Sequence, residues 1–146
     1  MKSNLTVVQI KSLISDAIEA RSFSYSPYSN YQVGAALLTK SGKVYTGCNI
    51  ENAAFTPTIC AERTAVFKAV SEGETEFEAI AIIGGRKGVK PSSSGVSGPC
   101  GVCRQVLLEF SSDLTLIGAN SVDDYFVTSL DILAPMPFGP KNLGKK

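Results

Sequence analysis

Two cysteine-containing segments constrain this chain more than any other feature of its sequence. Residues 60–63 read Cys-Ala-Glu-Arg, and residues 99–103 read Pro-Cys-Gly-Val-Cys. Two thiols separated by two residues can both reach one ion, and a proline fits the first turn of a helix. Three thiolates with a free carboxylate beside them provide the donors of a catalytic zinc site, in which three protein ligands leave one position open.

Length and composition indicate the class of protein in which such a site would act. The chain has 146 residues, of which 44% are hydrophobic, so we expect one globular domain over residues 1–146. No apolar run of the signal-peptide kind follows Met1, and no stretch is long enough to span a bilayer. We therefore expect a soluble cytoplasmic protein whose four cysteines are reduced or metal-bound rather than joined in disulfides.

The charge and the histidine content narrow the chemistry. A formal net charge of +1 provides no large basic surface for a nucleic acid backbone, so we expect a small-molecule substrate and disfavour RNA editing. The chain contains no histidine, which removes the commonest general base and the commonest zinc ligand. Acid–base catalysis would therefore fall to a carboxylate.

Hydrophobic periodicity predicts helices that alternate with strands. Thr6 and Gln9 form a capping box, and residues 41–42 mark a hairpin turn. The predicted elements are a helix over 6–21, strands over 31–40 and 43–48, a helix over 60–71, a strand over 79–84, a helix over 100–110, a strand over 114–119 and a last strand near Tyr125. The hairpin should be antiparallel, whereas the strands that alternate with helices should be parallel through right-handed crossovers. Too few residues separate Ala119 from Tyr125 for a crossover, so the last strand should run antiparallel to its predecessor.

The predicted fold class is α/β, a three-layer sandwich in which a mixed five-stranded sheet has helices on both faces. In such sheets ligands usually bind beyond the carboxyl ends of the parallel strands. Both cysteine segments follow a strand and open a helix, so both should lie at that edge. The positive ends of two helices would favour the thiolate form of the cysteines there.

Glu62 is predicted to point inward. It begins a helical stripe that also contains Ala65, Val66, Ala69 and Val70. Buried carboxylates are rare without a partner or a task, and desolvation would raise the pKa of this one toward the range useful for proton transfer. The alternative is an exposed glutamate in a first helical turn, which the helix dipole favours.

Cys48 and Arg63 bear on the kind of zinc site. Cys48 ends a strand at the same sheet edge and could complete a structural four-cysteine site in a binding module without catalytic activity. Glu62 favours an open catalytic site, because a closed site would have no use for its carboxylate. Arg63 is either an ordinary surface residue or a donor to the thiolates that offsets their negative charge.

Residues 49–52, Asn-Ile-Glu-Asn, follow the strand that ends at Cys48. Taken alone, the segment indicates a turn. Beside a metal site, the amide of Asn49 and the carboxylate of Glu51 are suited to binding vicinal hydroxyls, and the carboxylate would repel a phosphate.

Two other stretches lie outside these motifs. The Gly/Ser/Lys-rich segment 84–98 is predicted to be a surface linker, with a flap over the site as the alternative. Phe138 lies in an apolar stretch near the end of the chain, which favours a tail docked on the domain.

Three motifs together resemble the small homotetrameric zinc-dependent cytidine deaminases. They are Cys-Asn-Ile-Glu-Asn at 48–52, Cys-Ala-Glu-Arg-Thr-Ala at 60–65 and Pro-Cys-Gly-Val-Cys-Arg-Gln at 99–105. Residues 27–29, 33–37 and 138–140 are similar to the entry hairpin and the C-terminal segment of that family. The zinc deaminase signature accepts a cysteine in place of the first histidine ligand.

The resemblance implies a role for each matching residue. Cys60, Cys100 and Cys103 would bind Zn²⁺, Glu62 would move protons, and the backbone N–H of Ala61 would meet the pyrimidine carbonyl.

Asn49 and Glu51 would bind the ribose hydroxyls, and Tyr31 stands where the family usually has a phenylalanine near the base. Phe138 would stack on the pyrimidine from a neighbouring subunit of a homotetramer. Phe55 is also a candidate contact from a neighbouring subunit. It stands where related enzymes often have a tyrosine, so a contact made by the tyrosine hydroxyl is not implied for this chain.

The implied function is hydrolytic deamination of cytidine and 2'-deoxycytidine to uridine and 2'-deoxyuridine, in pyrimidine salvage. Zinc would activate a water molecule, and ammonia would be released. Two alternatives stay open: a deaminase of another aminopyrimidine, such as an antibiotic nucleoside or a nucleotide, and the four-cysteine binding module.

Overall fold

Helices and strands alternate along the chain, as the periodicity predicts. The computed structural model describes residues 4–90 and 98–145. Its elements are α1 (Val7–Arg21), β1 (Tyr31–Thr39), β2 (Val44–Cys48), α2 (Ala61–Ser71), β3 (Phe77–Arg86), α3 (Gly101–Phe110), β4 (Thr115–Ala119), β5 (Tyr125–Ser129), α4 (Leu130–Leu133) and a 3-10 turn at Pro140–Leu143. The capping box begins α1: the Gln9 N–H donates to the Thr6 hydroxyl at 3.1 Å, and the Thr6 N–H donates to the Gln9 side chain at 2.8 Å.

The five strands form one mixed sheet in the order β2-β1-β3-β4-β5. Strand β1 pairs antiparallel with both β2 and β3, β3 pairs parallel with β4, and β4 pairs antiparallel with β5. Strands β2, β3 and β4 therefore run in the same direction, and the last strand opposes its predecessor, as predicted. The sequence did not predict that β1 lies between β2 and β3.

Helices cover both faces of the sheet, which confirms the three-layer α/β fold. Helix α1 packs on one face through an apolar cluster that includes Ile14, Ala36 and Ile117. Helices α2 and α3 pack on the other face, where Val66 and Leu107 belong to a second cluster. In the described part of the chain, no helix is both long and apolar enough to cross a membrane.

Strand β3 is longer than predicted. Residues 84–86, assigned from sequence to the end of a strand and the start of a linker, pair with residues 31–33 of β1. The ring of Tyr31 lies over Gly84, where an added Cβ would come within 3.0 Å of the ring. Residues 91–97 of the predicted linker lie outside the described residues.

Gly47 allows α2 to pack directly on β2. A Cβ at this position would lie 2.5 Å from the carbonyl oxygen of Ala61 and 2.6 Å from the backbone nitrogen of Ala65. Because both contacts are to helix backbone, the whole of α2 would have to move to admit a side chain. Helix α2 also contains Glu62, so this contact positions part of the site.

We expect Gly47→Ala to lower the free energy of unfolding by about 1–3 kcal/mol, the usual cost of overpacking. Urea denaturation followed by circular dichroism measures the change. Gly139→Ala is the matched control, because a Cβ at Gly139 meets no atom within 4 Å. If both variants unfolded at the wild-type urea concentration, the close contact between β2 and α2 would not limit stability.

Candidate metal centre and active site

The three predicted ligands lie at the beginnings of two helices. Cys60 is the N-cap of α2 and Cys100 is the N-cap of α3, both with extended backbone conformations. Each helix therefore begins one residue later than predicted from the sequence. Cys103 lies in the first turn of α3 and is buried.

The three sulfur atoms converge on one point. The Sγ of Cys60 lies 3.7 Å from that of Cys100, which lies 3.4 Å from that of Cys103, and all three are within 4.8 Å of one another. Tetrahedral zinc with Zn–S bonds of about 2.3 Å requires sulfur atoms about 3.8 Å apart. The donor set and its spacing therefore fit zinc.

Cys48 does not join this cluster. It is half-buried at the end of β2, and burial raises the pKa of its thiol. Within residues 4–90 and 98–145, the group that could hold a metal consists of Cys60, Cys100 and Cys103. The structure thus gives no support to a four-cysteine site, and the fourth position of a tetrahedral ion would be open.

The surroundings of Cys60 favour the thiolate form. A hydrogen bond with the Cys103 thiol, together with the hydrogen bond and positive charge of Arg63, lowers the pKa of Cys60 to about 5 against the opposing effect of burial. The same hydrogen bond raises the pKa of Cys103. In α3, the N–H of Cys103 donates to the Sγ of Cys100 at 3.4 Å. Thiolate is the form that binds metals, so Cys60 is prepared to bind an ion, whereas Cys103 would release its proton when an ion binds.

Glu62 points inward, as its position in the helical stripe predicts. Only 4% of its surface is exposed, although it is charged at neutral pH in water. Burial raises the pKa of its carboxyl, which lies near the thiols of Cys60 and Cys103. In the described residues Glu62 is not one of the grouped metal donors, so its carboxylate stands beside the cluster rather than within it.

Arg63 contacts the cluster directly. Its Nη2 donates to the Sγ of Cys60 at 3.6 Å. Its Nε is buried, and no hydrogen-bond partner for this atom is found among the described residues. Attraction to the nearby sulfur atoms provides a reason for a partly buried guanidinium at this place.

The side chain of Asn49 is fixed by three groups. Its Oδ1 accepts from the backbone N–H of Val33 at 2.9 Å and from the hydroxyl of Ser24, and its Nδ2 donates to the carbonyl of Tyr31 at 2.8 Å. A primary amide has two N–H donors, so one remains for a further partner. The amide therefore has a fixed orientation with one donor available.

The carboxylate of Glu51 is held by the loop that precedes β1. Its Oε1 accepts from the backbone N–H groups of Tyr28 at 2.9 Å and Ser29 at 3.1 Å, and the Ser29 hydroxyl donates to Oε2. These hydrogen bonds, led by that of the Ser29 hydroxyl, hold the pKa of Glu51 below its usual value. Glu51 is therefore a preoriented anion, which can accept hydrogen bonds but repels phosphate.

The aromatic candidates differ in their surroundings. Tyr31 begins β1 and is half-buried. Phe55 is 69% exposed, has a positive φ of 59°, and makes an edge-to-face contact with Tyr28 at 5.8 Å between ring centroids. Phe138 is 61% exposed, and its carbonyl accepts from the side chain of Gln105. Both rings are therefore largely exposed at the surface of this chain.

Sequence reasoning missed the residues that support the site. Ser24 and Ser29, whose hydroxyls donate to Asn49 and Glu51, lie in a Ser/Tyr-rich turn around Pro27, and neither was among the candidate site residues. The clustering of hydroxyl side chains in that turn was the available signal.

The backbone of Ala61 completes the set of candidate residues. Ala61 is the first residue of α2 and is fully buried. The first N–H groups of a helix have no partner within the helix, so this position can offer a donor to a ligand. Fold and site together define an α/β protein with a three-thiol metal centre beside a buried carboxylate.

Comparison with known proteins identifies the family. Residues 8–119 match the family described as the cytidine and deoxycytidylate deaminase zinc-binding region, and the chain belongs to this family. A cytidine deaminase of Halalkalibacterium halodurans is 54% identical over 132 residues, which cover 90% of this chain and 95% of that protein. A cytidine deaminase of Sporosarcina psychrophila is 42% identical over 137 residues, 93% of this chain and 96% of the other.

A solved structure agrees with the sequence relatives. The crystal structure of cytidine deaminase from Burkholderia pseudomallei superposes with a TM-score of 0.78 at 45% identity and covers 87% of this chain and 97% of that one. The resemblance inferred from the motifs is confirmed, and so is the zinc-binding character of the family.

Proposed function

We propose that this chain catalyses the hydrolytic deamination of cytidine and 2'-deoxycytidine to uridine and 2'-deoxyuridine, with release of ammonia, as a step in pyrimidine salvage. The principal observation is the convergence of Cys60, Cys100 and Cys103 beside the buried carboxylate of Glu62. Membership of the family and the names of the relatives support the same reaction.

Cys60, Cys100 and Cys103 would hold zinc and leave its fourth position open. Zinc bound in this way supplies a water molecule acidic enough to react near neutral pH. Arg63 would donate to the Cys60 sulfur and offset the negative charge of three thiolates, which would otherwise weaken that effect.

Glu62 would move the protons. Its carboxylate would accept a proton from the water and deliver it to N3 of the pyrimidine as hydroxide adds to C4. It would then accept the second proton, from the hydroxyl now on C4, and deliver it to the amino group, which leaves as ammonia. Burial excludes bulk solvent from the carboxyl, so the proton can stay within the site between the two transfers.

The sugar and the base would be bound by groups whose positions are fixed. The remaining N–H of Asn49 would donate to a ribose hydroxyl, and Glu51 would accept from one. The N–H of Ala61 would donate to the pyrimidine carbonyl, and Tyr31 would lie near the base.

We also propose that residues 1–146 form one catalytic domain that acts in the cytoplasm as a homotetramer. The exposure of Phe55 and Phe138 supports this assembly, because large aromatic side chains at the surface are favoured at interfaces. Each would reach the active site of a neighbouring subunit, where Phe138 would stack on the pyrimidine. The near-neutral net charge provides no surface suited to nucleic acid.

The substrate assignment is tested by comparing kcat/KM for cytidine, cytosine and cytidine monophosphate. Cytosine leaves Asn49 and Glu51 without a partner, and the monophosphate meets the negative charge of Glu51. We expect both to be used less well than cytidine by about 10²-fold or more. The variant Glu51→Gln should reduce the discrimination against the monophosphate, because it removes the repelling charge. A preference for cytosine, for the monophosphate or for an antibiotic nucleoside over cytidine would favour the alternative substrates.

A further inference from the structure

Arg104 connects the turn that contains Cys100 to the C-terminal part of the chain. Its Nε donates to the carbonyl of Pro99 at 2.8 Å, and its Nη1 donates to the carbonyl of Leu133 at 2.6 Å. Pro99 is buried and directly precedes Cys100, and Leu133 is the last residue of α4. One guanidinium therefore joins two segments that are distant in sequence.

Arg104 also fixes the peptide group on the other side of Cys100. Its backbone N–H donates to the carbonyl of Cys100 at 2.9 Å. Cys100 itself is exposed and has an extended backbone conformation, so it lies just outside the regular part of α3. The peptide groups before and after this ligand are thus both held by Arg104, one through the side chain and one through the main chain.

Among the described residues, the guanidinium of Arg104 makes no ion pair. The salt bridges found in residues 4–90 and 98–145 join Lys11 to Asp123 and Lys43 to Glu74. Arg104 instead bonds main-chain carbonyls, which its planar group with donors in fixed directions can orient simultaneously. A lysine has the same charge but lacks this geometry.

The residue after Arg104 holds the other end of the C-terminal segment. The Nε2 of Gln105 donates to the carbonyl of Phe138 at 2.9 Å. Arg104 and Gln105, which are successive residues of α3, therefore bind the carbonyls of Leu133 and Phe138, the two ends of the segment 133–138.

We propose that Arg104 is a positioning residue that keeps Cys100 in the geometry of a metal ligand and links that geometry to the segment 133–138. The link to Phe138 rests on the proposed function, in which this residue completes a neighbouring site. The effect on Cys100 depends only on the thiol cluster.

Zinc affinity, measured by competition with a chromogenic chelator, tests the first part. Arg104→Met should bind zinc about 10- to 100-fold more weakly, the usual cost of losing an outer partner of a ligand. Arg104→Lys, which is less disruptive to folding, should also bind zinc more weakly, because it cannot bridge both carbonyls. Arg86→Met is the matched control at the exposed end of β3 and should keep wild-type affinity. Folded Arg104 variants with the affinity of Arg86→Met would overturn the proposal.

Steady-state kinetics test the second part. Gln105→Ala leaves the hydrogen bond between Arg104 and Pro99 intact, so zinc affinity should not change. The KM for cytidine should rise roughly two- to tenfold, which corresponds to the usual free-energy contribution of one hydrogen bond. Arg104→Met should change both quantities, and an unchanged KM in both variants would overturn the link to Phe138. If the zinc-loaded wild-type protein did not turn over cytidine while Arg104→Met still bound zinc more weakly than the wild type, the proposed function would be refuted. The role of Arg104 at Cys100 would still be supported.

Discussion

Glu62→Gln is expected to retain the fold and the zinc while kcat for cytidine falls by about 10⁴-fold. The amide has the size of the carboxyl and carries no charge, so a side chain with 4% of its surface exposed can be replaced without loss of packing. An amide cannot accept and return a proton, however, and the proposed reaction requires Glu62 to do so twice. The loss should therefore lie at the upper end of the range for general acid–base catalysis.

The matched control is Glu72→Gln, at the exposed C-terminal end of the same helix. It makes the same chemical change away from the thiols and should leave kcat at the wild-type value. Zinc content and circular dichroism establish that both variants are folded and loaded. Near-normal kcat in Glu62→Gln would refute the proton-transfer role.

Replacement of any one of the three clustered cysteines by serine should remove zinc and activity together. Cys60, Cys100 and Cys103 are the thiols that converge. Loss of a residue that hydrogen-bonds a ligand lowers metal affinity roughly 10- to 100-fold, and loss of a direct ligand should lower it more. Cys48→Ser is the control, since Cys48 stands outside the cluster and should be replaceable with retention of metal and turnover.

Zinc per chain, measured by mass spectrometry of the metal after gel filtration, decides between the two kinds of site. The open site predicts metal loss in Cys103→Ser and full occupancy in Cys48→Ser. If Cys48→Ser lost zinc as completely as Cys60→Ser, the site would be a closed four-cysteine site and the catalytic account would be wrong.

The ligand set was predictable from the sequence because its signals are local. A Cys-x-x-Cys spacing and a cysteine before a helical stripe depend on residues only a few positions apart, and the strand–helix order brings both to one sheet edge. The inward direction of Glu62 followed from helical periodicity in the same way, and its burial confirms it.

The features that the sequence did not reveal depend on contacts between distant segments. Residues 84–86 have the glycines of a linker, yet pairing with 31–33 outweighs their low strand propensity and draws them into β3. The support of Glu51 by Ser29 and the hydrogen bond from Arg104 to the Leu133 carbonyl likewise join segments that no local pattern relates. Contributions of Phe55 and Phe138 to another subunit remain predictions.

The most direct test of the account follows the ultraviolet absorbance of cytidine during incubation with the purified protein. The zinc-loaded protein should convert cytidine to uridine with equimolar release of ammonia. Complete removal of zinc with a chelator should abolish the conversion, and restoring zinc to the folded protein should recover it. No loss of cytidine with the zinc-loaded protein, or turnover unchanged after complete zinc removal, would contradict the account.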